Sequence, residues 1–299
     1  MTPGASGLRA TLHTYVALTK PSITRMCLLM AAGAMFLAPR AADHSFAISL
    51  SSALVALLGI TCSVASANAL NMWLERATDP LMRRTKARPI ADGRIPPRHA
   101  LVFGLLLAAA SLLVLAVATN LTTTALAAAA IFSYVWVYTP LKYVHPLALA
   151  IGALPGAAPP LLGWTAVTGH LDLPGLVLFA VLFVWQMPHF IAISIFRRPD
   201  YAAAKIRTVT AVRGLRVAKW QAAAWAALLI PTSLLLIPTG VSSWLYGAVA
   251  LVAGLAFLAL TLRGFRRGIP ANGWAYRLFM ASNIYLPVLI TGLTLDVLL

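Results

Sequence analysis

Apolar segments of about 20 residues recur along the whole chain, and no other feature constrains the fold as strongly. About 20 apolar residues are needed for a helix to cross a bilayer. The sequence is 61% hydrophobic and 10% charged, whereas soluble globular domains carry about 25% charged residues. The sequence therefore predicts an all-α, polytopic membrane bundle that is surrounded by lipid.

Hydropathy divides the chain into nine predicted transmembrane helices within one domain, residues 1–299, that begins with a short cytoplasmic segment, residues 1–20. The first apolar run is not followed by a small-residue cleavage site, so we expect it to be retained as a span. The predicted spans are residues 22–38, 46–74, 99–118, 122–138, 146–165, 173–196, 220–237, 243–262 and 276–297.

The positive charges predict the orientation of these spans. The chain has 23 Lys and Arg, 7 Asp and Glu, and a net charge of +16. Basic residues gather in cytoplasmic loops, and one topology places 22 of the 23 on the inner side, with Arg40 as the exception. We expect a bacterial cell inner membrane protein with its N-terminus cytoplasmic and its C-terminus outside. The same distribution argues against nucleic acid as a partner.

Two of the inward connections are long and basic, residues 75–98 and 197–219. They follow the second and the sixth predicted spans, and such an offset suggests two halves that face a shared cavity. The outward connections near Asn120, Gly169 and Gly240 are short and carry no Lys or Arg. We therefore expect the chemistry at the cytoplasmic face.

The first long loop begins with three oxygen-bearing side chains, Asn71, Glu75 and Asp79, spaced four residues apart. On a continuous helix this spacing would form a column about 12 Å long on one face. Oxygen ligands beside a basic run suit a phosphate or diphosphate that is bridged by Mg²⁺. The alternative is a solvated helix end with ordinary positive charges. The basic run consists of Arg83, Arg84, Lys86 and Arg88.

The second long loop follows two polar side chains near the inner end of a span, Gln186 and His189. Polar residues inside a membrane are costly and indicate function. His189 alone is more often a hydrogen-bonded interior imidazole, but Gln186 on the same face favours the lining of a cavity. Asp200 is the only acid in this loop, so it is the expected partner of the first acidic group if a metal joins the two.

Several other features allow two interpretations. Lys142, Lys20 and Arg25 lie at span ends, where a long basic side chain either extends to the lipid headgroups or contacts a phosphate. The stretch 152–164 is rich in Gly and Pro. It predicts either a kinked helix that lines a cavity or close packing between helices.

Five sequence elements are similar to those of a known family. They are Asn71-x3-Glu75-x3-Asp79, Met82-x-Arg84-Thr85-x2-Arg88-Pro89, Tyr138-Thr-x-Leu-Lys142, Gly156-Ala-x-Pro-Pro160-x2-Gly-Trp164, and Trp185-Gln-x-Pro-His-Phe190 with Asp200-Tyr201. On these elements the chain resembles the UbiA superfamily of intramembrane prenyltransferases, and the last one resembles its heme branch. The chain departs from the family pattern at Glu75, usually Asp, and across residues 204–210.

The resemblance implies a nine-helix bundle around a cavity that opens to the cytoplasmic side. The implied activity is Mg²⁺-dependent transfer of the farnesyl group from farnesyl diphosphate to a vinyl group of heme b, with heme as substrate. Implied partners besides the substrates are membrane lipid and a downstream heme-modifying enzyme or terminal oxidase. The implied catalytic and metal-ligating residues are Asn71, Glu75, Asp79 and Asp200. The implied substrate-binding residues are Lys20, Arg25, Arg84, Arg88, Lys142, Gln186, His189, Tyr201 and Lys205.

Two other functions are compatible with parts of this pattern. One is prenylation of an aromatic quinone precursor by an enzyme of the same superfamily. The other is transport of an anionic metabolite, for which charged or unwound elements near the membrane midplane would be expected. The third, fourth, seventh and eighth predicted spans carry no charged residue between their ends, which argues against transport.

Overall fold

The computed structural model describes residues 3–41 and 49–299, and all regular secondary structure in these ranges is helical. The all-α prediction is confirmed for this part of the chain. The predicted start of the second span, at residue 46, lies outside the described residues. Where the sequence predicted only a short cytoplasmic segment, a helix, α1 (Pro3–Leu18), is present.

The first half of the bundle contains five further helices. The first of the long helices begins at Pro21, which suits a helix start because proline has no backbone N–H to leave unpaired. After α5 the chain continues through a π-helical stretch, Ser133–Tyr138, into the short α6. The helices are α2 (Pro21–Ala41), α3 (Leu50–Leu74), α4 (Pro97–Ala118), α5 (Leu121–Phe132) and α6 (Thr139–Leu141).

The second half contains five long helices and two short ones in the second loop. Side-chain oxygens cap two of the long helices: Asp172 accepts a hydrogen bond from the Gly175 amide, and Ser243 accepts one from Leu245. The helices are α7 (Ala148–Thr168), α8 (Leu173–Phe196), α9 (Arg198–Ala203), α10 (Val209–Val212), α11 (Gly214–Leu234), α12 (Trp244–Leu262) and α13 (Ala271–Leu298).

Seven helical segments in the described residues are long and apolar enough to cross a membrane. The helices α7 and α11 have 21 residues each but are not among them. Gly and Pro lower the hydropathy of α7, and Arg216 and Lys219 lower that of α11. The seven segments are Pro21–Pro39, Leu50–Ala77, Pro97–Ala118, Leu121–Leu141, Leu173–Phe196, Trp244–Phe265 and Ala271–Leu298.

The bundle is assembled around α7 and α8. α2 packs against α7, α3 packs against α4, and α8 contacts α7, α11 and α13. The largest buried apolar cluster lies on α8 and its neighbours, with Trp164, Trp185 and Tyr246 among its members. The two long loops and the turn at Lys142 meet at one end of the bundle, where the polar site lies.

The Gly- and Pro-rich stretch is used for close packing. α7 continues through Pro155, Pro159 and Pro160, and most of its side chains are buried. A Cβ at Gly163 would lie 2.1 Å from the carbonyl oxygen of Ala31 on α2. Backbones can approach this closely in a membrane bundle only where one residue is very small.

We expect Gly163→Ala to destabilise the protein by about 2 kcal/mol, because the added methyl group must push α2 away from α7. Thermal unfolding of the protein in detergent measures the effect. Gly33→Ala on α2 is the matched control, since a Cβ there meets no atom within 4 Å. Equal melting temperatures for the two variants would show that the α2–α7 contact is not tight.

Candidate active site

The polar site lies where α3 ends. Asn71 is in the last turn of α3, whereas Glu75 and Asp79 follow in two 3₁₀ turns, Glu75–Ala77 and Asp79–Leu81. The prediction of a straight column on one helix is therefore wrong. Pro80 has no backbone N–H to bond to the carbonyl of residue 76, and its ring would clash there, so α3 cannot continue as a regular helix through Asp79 and Pro80.

Arg88 holds the two acidic side chains together. Its Nη1 atom donates to Glu75 Oε2 at 2.9 Å and to both carboxylate oxygens of Asp79, at 2.8 and 2.9 Å. The loop folds back to allow this, because the Thr85 hydroxyl donates to the Asp79 carbonyl at 2.8 Å. Two like charges thus share one cation at close range.

The other oxygen of Glu75 receives two further donors. Lys142 Nζ and Asn71 Nδ2 both donate to Glu75 Oε1, the latter at 2.6 Å. Lys142 is only 8% exposed. The interpretation in which Lys142 extends to the headgroups is therefore wrong, because its ammonium group is used inside the protein.

Lys20 adds a third cation on the opposite side of Asn71. Its Nζ atom donates to Asn71 Oδ1 at 2.8 Å, and its backbone is left-handed, with φ of 49°. Such a conformation costs a residue with a side chain about 1 kcal/mol. Asn68 Nδ2 and the Thr24 hydroxyl both donate to the carbonyl of Thr19 and fix this turn. The fold thus maintains backbone strain that directs Lys20 towards the site.

The site carries an excess of buried positive charge. Asp79 is 1% exposed and Glu75 is 4% exposed, and the two carboxylates face three cations, Lys20, Arg88 and Lys142. Lys20 is paired with an amide, and no carboxylate of the described residues pairs with it. Buried charge without a counter-charge is costly, so the arrangement favours binding of an anion.

The pKa values respond to the same burial. Burial, together with the nearby charge of Arg88, lowers the pKa of Lys20 to about 7. Burial also lowers the pKa of Lys142, although Glu75 opposes the shift. Burial raises the pKa of Asp79 in spite of Arg88. An anion beside the lysines and a cation beside Asp79 would each stabilise the charged forms.

The second loop packs onto the first. Met82 of the first loop is buried in an apolar cluster with Tyr201, Ala204 and Ile206 of the second. The Arg207 amide donates to the Lys142 carbonyl at 2.9 Å. The two loops and the Lys142 turn therefore meet at one place, although they are far apart in the sequence.

The remaining predicted polar residues lie at different distances from this centre. Asp200 is 4.0 Å from Arg197 of its own loop. Within residues 3–41 and 49–299 no three Asp, Glu, His or Cys side chains form a group that could hold a metal, so the structure does not bring Asp200 into the Glu75–Asp79 cluster. Arg84 and Lys205 are exposed. Arg25 is exposed and donates to the Pro21 carbonyl of its own helix.

Gln186 and His189 lie deeper, on α8. Gln186 Nε2 donates to the carbonyls of Ala153 on α7 and Leu182 on α8. The Gln186 side chain passes directly over Gly156, where a Cβ would lie 2.2 Å from its Oε1 atom. His189 Nδ1 is 2.7 Å from the hydroxyl of Ser282 on α13. Both polar groups therefore connect α8 to a neighbouring helix.

Sequence reasoning missed three polar residues of these networks. Thr139 accepts a hydrogen bond from Asn71, Tyr143 is 2.6 Å from the Thr78 hydroxyl, and Ser282 contacts His189. Thr139 belongs to the Tyr-Thr-x-Leu-Lys element, which was a usable signal. Tyr143 and Ser282 stand in no motif, and only the packing of helices brings them into the site.

Cavity volume does not identify this site. A groove of about 650 Å³ lies between α12 and α13 and is lined almost entirely by apolar side chains, including Val252 and Ile284. These two side chains are largely exposed, as expected of a surface that faces lipid tails. The charged cluster at the end of α3 therefore remains the candidate site.

The comparison with known families bears directly on this cluster. The pattern of the UbiA prenyltransferase family matches residues 27–283, which include the carboxylate pair and both loops. The chain belongs to the UbiA prenyltransferase family. The resemblance predicted from the sequence elements is confirmed, and the chain is an integral membrane protein of that family.

Two similar relatives of this chain carry the same name. The chain is 49% identical to a protoheme IX farnesyltransferase of Sorangium cellulosum over 80% of this chain and 85% of that protein. It is 44% identical to a protoheme IX farnesyltransferase of Myxococcus xanthus over 99% of this chain and 98% of that protein.

Solved structures share the fold at low identity. A digeranylgeranylglyceryl phosphate synthase superposes with a TM-score of 0.77 at 14% identity, covering 95% of this chain and 98% of that one. A UbiA homolog from Archaeoglobus fulgidus bound to GPP and Mg²⁺ gives 0.65 at 16% identity, with 94% and 99% covered. The fold is thus that of the UbiA family.

We expect Glu75→Gln to lower the free energy of unfolding by about 3 kcal/mol, because removing one partner leaves buried cations uncompensated. Chemical or thermal unfolding in detergent gives the value. Asp92→Asn is the matched control: its partner Arg94 is 43% exposed, and exposed pairs contribute about 1 kcal/mol or less. Similar losses in both variants would contradict the buried network.

Proposed function

We propose that this protein transfers the farnesyl group of farnesyl diphosphate to a vinyl group of protoheme IX, heme b, and so produces heme O. The relatives named protoheme IX farnesyltransferase, at 44–49% identity over most of the chain, support this function. The single structural observation that carries it is the buried cluster in which Lys20, Arg88 and Lys142 outnumber the two carboxylates.

The cluster suits a diphosphate better than a neutral substrate. Lys20 lacks a carboxylate partner among the described residues, and Arg84 lies exposed in the first long loop, which also carries Arg88. Charge-assisted hydrogen bonds from Lys and Arg to phosphate oxygens are short and strong. A bound diphosphate would supply the missing negative charge, and Arg84 and Lys205 would add contacts from the two loops.

The residues present also fit Mg²⁺. This ion prefers oxygen ligands and is usually held by one or two carboxylates together with substrate phosphates, so a pair of acids is sufficient. Glu75 and Asp79 would hold it, with Asn71 beside them. Asp200, which lies 4.0 Å from Arg197 in the second loop, would have to move towards them to become a ligand. Bound there, the ion would neutralise charge that develops on the departing diphosphate. The Archaeoglobus fulgidus homolog was bound to Mg²⁺ with a prenyl diphosphate, which supports this assignment.

The residues of the chain would then separate the diphosphate from its carbon chain. The bond between the first farnesyl carbon and the diphosphate oxygen breaks, and Lys20, Lys142 and Arg88 stabilise the diphosphate that leaves. The allylic cation is attacked by the terminal vinyl carbon of heme, and water adds at the adjacent carbon with loss of a proton. Burial of the site excludes other water from the cation until attack occurs.

The finer architecture belongs to the same proposal. We assign one domain, residues 1–299, in which α7 and α11 cross the membrane together with the seven apolar segments, which makes nine spans. The N-terminus is cytoplasmic, the C-terminus lies outside in a bacterial inner membrane, and the site opens to a cytoplasmic cavity. Tyr201 and Gln186 line this cavity, and Arg25 lies at its edge towards the lipid. A downstream heme-modifying enzyme or terminal oxidase receives the product.

We expect Asp79→Asn to abolish heme O formation while the protein still inserts into the membrane, because the amide cannot hold a divalent cation as a carboxylate does. Membranes with heme b, farnesyl diphosphate and Mg²⁺ provide the assay, and chromatography of the extracted pigments gives the product. Asp92→Asn should retain full activity. Normal turnover by Asp79→Asn, or in EDTA, would remove the metal from the mechanism.

Substrate choice is tested in the same membranes. We expect prenylated product from heme b and none from 4-hydroxybenzoate, an aromatic quinone precursor. The reverse result would place the protein in the quinone branch of the family. Uptake of a labelled anion into vesicles with no prenylated product would instead indicate a transporter.

Cysteine labelling tests the proposed topology. In a variant with Cys27 and Cys62 replaced by Ser, a membrane-impermeant maleimide should label His170→Cys in intact cells but not Arg83→Cys. Both replaced side chains are exposed in the protein, so only the bilayer decides access. With a cytoplasmic N-terminus, the reagent can label Leu299→Cys from outside only if the number of spans is odd. Absence of labelling at this position would contradict the count of nine.

A further inference from the structure

His189 lies on α8 with one ring nitrogen fixed by α13. The Ser282 hydroxyl donates its only hydrogen to the Phe279 carbonyl at 2.6 Å. Its oxygen must therefore accept at the 2.7 Å contact with His189 Nδ1. The proton of the neutral imidazole is thus on Nδ1, and the lone pair is on Nε2.

The ring is also fixed in orientation. It stacks on Trp185 with centroids 4.9 Å apart and packs against Phe279 at the same centroid distance. The indole of Trp185 donates to the Ser282 carbonyl at 2.8 Å. Three contacts between α8 and α13 therefore determine where the Nε2 lone pair points.

The Nε2 atom itself has no hydrogen-bond partner among the described residues. The Nε2 atom is also not fully buried. Among the described residues, the fully buried side-chain polar atoms that lack a hydrogen-bond partner are Trp164 Nε1 and Ser242 Oγ, and His189 Nε2 is not one of them. His189 is half-buried. A histidine that served packing alone would have both nitrogens satisfied, whereas this one has a lone pair without a partner among the described residues, next to the rings of Trp185, Phe190 and Phe279.

An imidazole of this kind is a ligand for heme iron. Axial histidines bind through one nitrogen while a hydrogen bond at the other fixes the tautomer and raises ligand basicity. Resting on the proposed function, we propose that His189 Nε2 ligates the iron of the heme substrate and that Ser282 is a positioning residue for it. Neither contact involves the diphosphate cluster.

The location of His189 agrees with this role. It precedes the end of α8 at Phe196 by seven residues, which corresponds to about 10 Å along the helix. Arg197 follows directly at that end and is exposed. A porphyrin held at its iron by His189 would therefore have a cation for its propionates at the end of the same helix.

Heme spectroscopy without farnesyl diphosphate tests the inference. Ferric heme b is added to the purified full chain in lipid nanodiscs, and absorption and electron paramagnetic resonance spectra are recorded. We expect an imidazole-ligated iron in the wild type and in His99→Ala, which removes an exposed histidine. His189→Gln should lose that signature at an unchanged melting temperature, and added imidazole should restore it in His189→Gly. Ser282→Ala should retain ligation with heme affinity lowered about tenfold.

Two outcomes would overturn the assignment. One is a His189→Gln spectrum identical to that of the wild type, and the other is a wild-type spectrum without an imidazole ligand. Product formation is measured on the same preparations. If the wild type forms prenylated heme but its spectrum does not depend on His189, only the ligation inference is wrong. If His189 ligates the iron but no product forms, only the proposed transferase activity is wrong.

Discussion

The contact of one Arg88 nitrogen with both Glu75 and Asp79 is the interaction on which the site depends. Two carboxylates buried beside each other repel, and each would be protonated or expelled without a shared cation. Arg88 is 13 residues beyond Glu75, so it can reach both acids only if the loop folds back through the Thr85 contact. The charge requirement of the acids thus determines the shape of the whole first loop.

The same requirement extends to the rest of the bundle. Lys142 reaches Glu75 from the end of α6, and Lys20 reaches Asn71 from the strained turn before α2. The second loop is attached to this centre through apolar contacts with Met82 and through the carbonyl of Lys142. Four separate parts of the chain therefore close around one polar group at one end of an otherwise apolar bundle.

The two groups of residues that we assign to the two substrates lie at different depths in the bundle. The charged cluster at the helix ends is chemically suited to a diphosphate, whereas His189 on α8, held among the rings of Trp185 and Phe279, is the iron ligand that we propose for the heme. The transfer reaction that we propose needs both, since the prenyl donor is charged at one end and the acceptor is a large apolar ring. Tight backbone packing at Gly163 against Ala31 keeps α7 close to α2.

The sequence by itself determined the membrane setting, the all-helical class, the family and most of the polar residues, because apolar run length and motif spacing are local properties of the chain. Tertiary structure decided the rest: the helix ends before Glu75, Lys142 points inward, Asp200 stays with Arg197, and Ser282 fixes His189. These outcomes depend on how buried charges and polar groups find partners from distant helices, and such pairing is not encoded in any local pattern.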